Sequence, residues 1–358
     1  MRIITVIGAR PQFVKAAVVS RAIRRKVLLG ADIQESILHT GQHYDYNMSE
    51  LFFSQLDIPA PKWHLDCGND ITKMKAAILP VLRAEQPDMV LVYGDTNSTL
   101  AGAEAAHELA IPVAHIEAGL RSFNNAMPEE HNRIATDRIA SLLFCPTMTA
   151  VENLRREGIT QNVYQTGDVM YDAALLFTPD EAAQRRIVRS YGLESKTFAL
   201  TTVHRASTAE NIEALSAIIA ALKQVGMPVL WPVHPHTRKT LDRNLSLRQA
   251  LQEASAVHLV EPVGYTEMLA LERQAQIIIT DSGGIQKEAY FQRTPCVTLR
   301  EESEWVETLH AGWNRLAGCE TERIIQAVRM PFTPRSIEEY GSGHAAEQII
   351  DILCRIKS

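Results

Sequence analysis

The sequence has no CxxC pair, no Cys/His spacing of a zinc site and no run approaching about 18 unbroken apolar residues. Its five cysteines, Cys67, Cys145, Cys296, Cys319 and Cys354, are odd in number and widely scattered. They exclude a disulfide framework and read as buried thiols of a reducing compartment. The first residues, MRIITVIGARPQF, carry neither a secretory apolar core nor a cleavage site. HExxH, Walker A and GxSxG patterns are absent. Catalysis, if any, must then rest on carboxylates, histidine and anion donors. A net positive charge is absent too: 36 Lys and Arg stand against 42 Asp and Glu, a net charge of −6. That disfavours a sequence-independent grip on nucleic acid. These absences predict a cytoplasmic protein with no membrane or nucleic-acid partner, no metal and no cofactor.

What remains is ordinary globular material. The chain has 358 residues, 46% hydrophobic and 22% charged, enough for two domains. Short apolar runs alternate with amphipathic stretches, the pattern of parallel sheets covered by helices. Strands are predicted over residues 2–8, 36–40, 89–93, 113–116, 142–145 and 163–165, then over 197–203, 229–232, 257–260, 277–280 and 296–299. Helices are predicted over 11–25, 99–109, 209–224, 267–274 and 284–291, with a linker in the polar, helix-rich stretch 171–191. The expectation is an α/β chain of two doubly wound domains, 1–170 and 171–358, facing a cleft. Ligands of such sheets bind beyond the carboxyl ends of strands, so the residues after each strand are the candidates.

Gly8-Ala9-Arg10-Pro11 follows the first strand, with Lys15 one turn into the helix; a helix N-terminus with two cations is an anion pocket. One glycine stands where GxGxxG needs three, which disfavours a dinucleotide. Gly94-Asp95 and His115-Ile116-Glu117 each put a carboxylate at a strand end, and Met127-Pro128-Glu129-Glu130-His131-Asn132-Arg133 opens a helix with two more. Carboxylates converging on one cleft suit acid/base work, although Glu129 or Glu130 can equally be a structural cap. In the second half, His204 and Arg205 follow a strand, and Thr280-Asp281-Ser282-Gly283-Gly284 ends a strand at a helix start. Its backbone N–H groups suit a diphosphate, and Glu288, one turn on, suits ribose hydroxyls. Val233-His234-Pro235-His236 and Pro262-Val263-Gly264-Tyr265 also follow strands.

GARPQFVKAA, GDTNSTLAG, HIEAGLRSF, MPEEHNR, TVHRA, PVHPHTR, EPVGY, TDSGGIQKEA and TPCVTLR, in this order over nearly the full length, resemble the non-hydrolysing UDP-N-acetylglucosamine 2-epimerases. The resemblance implies two Rossmann-like domains in the GT-B arrangement, a homodimer, and a last helix near 343–356 crossing back to the first domain. It implies interconversion of UDP-GlcNAc and UDP-ManNAc by elimination of UDP, a bound glycal and re-addition. On matching positions, Asp95, Glu117 and Glu129 would be the acid/base carboxylates, supported by Arg133 and His204. Arg10 and Lys15 would lie near the leaving phosphates, and His204, Ser282, Gly283 and Gly284 on the diphosphate. Arg205 would belong to the same substrate site, Glu288 would hold the ribose, and Val263 and Met268 would face the uracil.

Three departures bear on substrate. Ser207 stands where many relatives carry Glu, and Gln42-His43-Tyr44-Asp45 replaces a QHREML segment that lines an activating UDP-GlcNAc site in those relatives. Trp305, within Ser303-Glu304-Trp305-Val306-Glu307, replaces the Arg of TERPE. It removes a cation and adds a flat apolar wall, as in relatives acting on UDP-2,3-diacetamido-2,3-dideoxyglucuronate. That substrate, a hydrolysing 2-epimerase, and a non-catalytic UDP-sugar binder or GT-B glycosyltransferase are the alternatives.

Overall fold

The computed structural model describes residues 1–42, 53 and 56–356. His43, Tyr44 and Asp45 of the QHYD segment therefore lie outside the described residues. By contact the chain divides into Met1–Leu176 with Glu338–Ser358, and Phe177–Ile337. Both units are built on parallel sheets.

The first unit carries β1 (Arg2–Ile7), β2 (Gln34–His39), β3 (Trp63–His64), β4 (Met89–Tyr93), β5 (Val113–Ile116), β6 (Leu142–Cys145) and β7 (Val163–Gln165). They pair in the order β3-β2-β1-β4-β5-β6-β7, every pair parallel. β4, β5 and β6 are buried along their whole length, as strands covered by helices on both faces must be. One apolar layer packs Ile4, Val6, Val90 and Val92 against Met74, Ile78 and Leu82 of helix Ile71–Glu85 and the alanines of helix Asn97–Glu108. The last helix, Ala345–Ile356, also packs on this unit: Glu347 and Asp351 pair with Arg25 and Lys26 of helix Arg10–Leu28. Its first amides, of Ala345 and Ala346, donate to Asp172 at 3.1 and 2.8 Å.

The second unit carries β8 (Ala199–Thr202), β9 (Val229–Pro232), β10 (Val257–Val260), β11 (Ile277–Thr280), β12 (Cys296–Thr298) and β13 (Asn314–Leu316). Their order is β10-β9-β8-β11-β12-β13, again all parallel. Trp231, Ile219 and Leu222 centre one apolar layer; Phe198, Leu200 and Leu271 centre the other. In each sheet the direction of winding reverses once, between β1 and β4 and between β8 and β11. The predicted linker contains two helices, Val169–Phe177 and Glu181–Ser190, and the division between units falls at the end of the first.

Several elements differ from the sequence expectation. β3 and β13 were not predicted, being too short to show a period. Helix Ile71–Glu85 was not predicted either; it carries Pro80 inside and is started by Asp70, whose side chain accepts from the Lys73 amide. The predicted helix at 209–224 is two pieces, Ala206–Ala209 and Ile212–Leu222, because Asn211 caps the second.

Candidate active site

In the first unit the switch point between β1 and β4 gathers the candidate residues. Gln12 stitches the two strand ends together: its carbonyl accepts from the amides of Gly8 and Ala9 at 2.8 and 3.0 Å, while its amide donates to Tyr93 O at 3.1 Å and Thr99 Oγ1 at 3.0 Å. Three residues further along the same helix, Lys15 is buried and forms an ion pair with the buried carboxylate of Glu117. Glu117 sits at φ +75°, a left-handed conformation that costs a non-glycine roughly 1–2 kcal/mol. Hydrogen bonds from the Glu117 and Ala118 amides to Phe144 O, both 3.0 Å, hold it there. Asp95, one-third exposed, accepts from Arg133 at 2.6 Å, and its backbone carbonyl accepts from Asn132 at 2.9 Å.

Arg133 is the hub of the other carboxylates. It is nearly fully buried and also donates to Glu130 at 2.6 Å. Glu130 thus pairs with Arg133 across three residues. Glu130 further accepts from the Ser122 and Phe123 amides, both at 3.0 Å. Burial pushes its carboxyl up, but these bonds and Arg133 outweigh that and leave it below the usual carboxylate range. Glu130 is committed to holding the 122–123 turn. Glu129 is half-buried on the same first turn, and Arg10 is half-buried at the head of its own helix.

In the second unit the switch point lies between β8 and β11. The His204 amide, at 3.1 Å, and the Arg205 amide, at 3.0 Å, donate to the buried Asp281 carboxylate. The His204 imidazole, 41% exposed, lies 3.2 Å from the same carboxylate. Ser282 caps helix Gly283–Phe291, accepting from the Ile285 amide at 3.4 Å, and its own amide donates to Thr280 Oγ1 at 2.9 Å. The amides of Gly283 and Gly284 are then the first-turn donors that helix geometry leaves without a carbonyl partner. Gly284 is exposed, and a Cβ built on it meets nothing nearer than Ser282 Oγ at 3.9 Å. Nothing inside the folded chain therefore requires glycine there. Glu288 is buried one turn on. Val263 lies in the apolar layer around Phe198 and Leu271, with Met268 packed against it.

Trp305 is only 3% exposed, and the ammonium of Lys287 sits 3.9 Å from its ring centroid. A cation from helix Gly283–Phe291 is thus held on the indole face. Arg205 and Arg300 both approach Glu304, at 3.9 and 3.0 Å.

Sequence reasoning passed over Gln12, Asn132, Asp137, Asp281 and Glu304. A signal existed for Asp137: the buried positions of helix Pro128–Ile139 are Glu130, Asn132, Arg133, Thr136 and Asp137, a polar stripe where a core-facing helix is normally apolar. Glu304 carries no such pattern. Cys145 and Cys296 are buried and the other three cysteines half-buried. Among the described residues there is no cluster of three or more His, Cys, Asp or Glu able to hold a metal, and no helix long and apolar enough to cross a membrane.

The sequence profile of the UDP-N-acetylglucosamine 2-epimerase family matches residues 27–354. A Methanococcus maripaludis protein named UDP-N-acetylglucosamine 2-epimerase homolog is 45% identical, over 99% of each chain. The UDP-2,3-diacetamido-2,3-dideoxy-D-glucuronate 2-epimerase of Pseudomonas aeruginosa is 44% identical over 99% of this chain and 100% of its own. Among solved structures, the Methanocaldococcus jannaschii UDP-GlcNAc 2-epimerase in complex with UDP-GlcNAc and UDP matches with a TM-score of 0.88 at 36% identity, covering 99% of this chain and 100% of that one. With two parallel α/β units, carboxylates gathered at one switch point and a glycine helix start at the other, the chain belongs to the UDP-N-acetylglucosamine 2-epimerase family of UDP-sugar isomerases.

Proposed function

We propose that the protein epimerises UDP-GlcNAc at C2, through elimination of UDP to a bound glycal and re-addition. The observation that carries this reading is the grouping of Asp95, Glu117, Lys15 and Arg133 about the β1/β4 switch point. The C2 proton is not acidic enough to be removed with nothing else changing, so the base must act as UDP departs. Glu117, held by Lys15, and Asp95, held by Arg133, are two carboxylates in different surroundings, as separate acid and base roles require. Glu129 is the third candidate for these roles. Arg10 and Lys15 neutralise the leaving phosphates. Gly283 and Gly284 hold the diphosphate through their amides, with His204, Arg205 and Ser282 beside them and Glu288 on the ribose. Val263 and Met268 form the apolar side toward the uracil. The protein is proposed to work in the cytoplasm as a homodimer, in the supply of surface-polysaccharide precursors.

The test is incubation with UDP-GlcNAc in D2O, followed by NMR. The expected result is deuterium at C2 together with UDP-ManNAc. Asp95→Asn, Glu117→Gln and Glu129→Gln should each lower turnover by roughly 10²–10⁴ while UDP affinity holds. Free ManNAc with UDP as the main products would replace this reading by a hydrolysing epimerase.

A second reading is favoured by the 44% identity to the diacetamido-glucuronate epimerase and by Trp305. In it the preferred substrate carries an extra acetamido or carboxylate group. Side-by-side kcat/KM on UDP-GlcNAc and UDP-2,3-diacetamido-2,3-dideoxyglucuronate separates the two. A buried polar group left unpaired costs ~1–3 kcal/mol, so the preference should be about 5- to 150-fold.

A further inference from the structure

His115, on β5, is fully buried, and each of its ring nitrogens faces a group that can only accept. Nε2 lies 2.8 Å from the carbonyl oxygen of Gly94, and Nδ1 lies 2.7 Å from Oδ1 of Asp137. A neutral imidazole carries one N–H and one lone pair. In either tautomer one of these two short contacts would set lone pair against lone pair. The remaining escape, a protonated Asp137, is opposed by its surroundings. The fixed positive charge of Arg121 beside it favours the ionised form. Asp137 Oδ2 also takes Arg121 at 2.8 Å and the Gly119 amide at 3.1 Å. Arg121 in turn binds Glu157 at 2.7 Å. Burial and the charge of Asp137 keep the nearby Cys145 a neutral thiol. Two cations and two carboxylates then close a neutral group.

We infer that His115 is a doubly protonated positioning residue that ties the Asp95-bearing turn and the Glu117-bearing turn to one buried carboxylate. On one side its Nε2–H holds the carbonyl of Gly94, the residue before Asp95. On the other, Nδ1–H fixes Asp137, which receives the amide of Gly119, two residues after Glu117. Gly94 also lies against the Lys15–Glu117 pair, since a Cβ on it would come within 3.0 Å of both side-chain tips. The distance between the two carboxylates is thereby set from beneath by a charged ring that never touches substrate. This assignment rests on the proposed acid/base roles of Asp95 and Glu117, whereas the protonation state does not.

The first test is therefore independent of activity. In the full-length chain with ¹⁵N-labelled histidine, a long-range ¹H–¹⁵N spectrum at neutral pH should show one imidazolium with both ring nitrogens protonated, absent from His115→Gln. A neutral tautomer at this position overturns the inference even if the enzyme epimerises UDP-GlcNAc as proposed. The imidazolium without any epimerase activity instead removes the reading of the site. In the second test, His115→Asn keeps a donor toward Asp137 but loses Gly94, and His115→Gln keeps the donor toward Gly94. Each variant breaks one of the two ties, so each should lose about 10- to 100-fold in kcat with KM and UDP affinity unchanged. Full kcat in either folded variant, or kcat losses that merely follow reduced stability, would assign His115 to packing alone.

Discussion

Replacing Gly94 by alanine separates the fold's need for this residue from the chemistry's need. Gly94 has φ +63°, which an alanine adopts at a cost of about 1–2 kcal/mol. For a domain of this size roughly 2–4 °C of Tm accompanies each kcal/mol, so a fall of a few degrees is expected. The steric part is different in kind. The new Cβ would lie 2.9 Å from Glu117 Oε2 and 3.0 Å from Lys15 Nζ, closer than ordinary van der Waals contact. Both atoms are tips of flexible side chains, so they yield by some tenths of an ångström with little further loss of stability. Those tips are a proposed acid/base carboxylate and the cation that holds it, however, and a carboxylate displaced toward 1 Å can lose on the order of 100-fold in rate. Gly94→Ala should thus remain folded, lose far less UDP affinity than rate, since most of the proposed UDP contacts are untouched, and lose about 10- to 100-fold in kcat. Calorimetry, UDP titration and NMR of C2 exchange measure the three quantities. A variant with the predicted Tm loss and full kcat would refute the placement of Glu117 at the reacting carbon.

Gly284→Ala is the complementary case. Its Cβ enters open space and alanine favours a helix by up to about 1 kcal/mol, so Tm should hold or rise while UDP affinity falls at least about tenfold; unchanged affinity would remove the diphosphate from this helix start. Glu272 is fully buried, and neither carboxyl oxygen has a hydrogen-bond partner. Burial first and the charge of Glu288 second push its pKa up, so its stabilising effect is full in acid and is lost as pH rises above the unfolded value of about 4.3. Glu272→Gln should flatten that part of the denaturation-versus-pH curve, and an unchanged slope would contradict the burial argument. Asp172 is raised to about 6 by burial, against 3.8 ordinarily, despite the two helix amides it accepts. Stability should fall between pH ~4 and ~6 by up to about 3 kcal/mol, and Asp172→Asn should abolish that fall.

Much of this molecule is legible along the chain. β4, β5, β6, β9 and β11 lie where the sequence places them, because strands buried along their whole length read as short, mainly apolar runs between polar turns. Gly94-Asp95 and the glycines after Thr280 stand out for the same reason: each interrupts an apolar run at its carboxyl end. The sequence therefore determined the fold class, the parallel sheets and a short set of loops in which the chemistry must lie. It did not determine which of those loops meet. That depends on strand order, and order is a matter of pairing between segments tens of residues apart, on which local periodicity is silent. Only the tertiary structure put β4 beside β1, so that Lys15 reaches Glu117 and Gln12 spans both strand ends. The choice between Glu129 and Glu130 has the same origin. Adjacent acids on one helical turn are equivalent in sequence, and it is the bonds from Arg133 and from the amides of Ser122 and Phe123 that commit Glu130 to structure. His115 looked like one more strand residue until Gly94 and Asp137, brought in from separate elements, enclosed both sides of its ring.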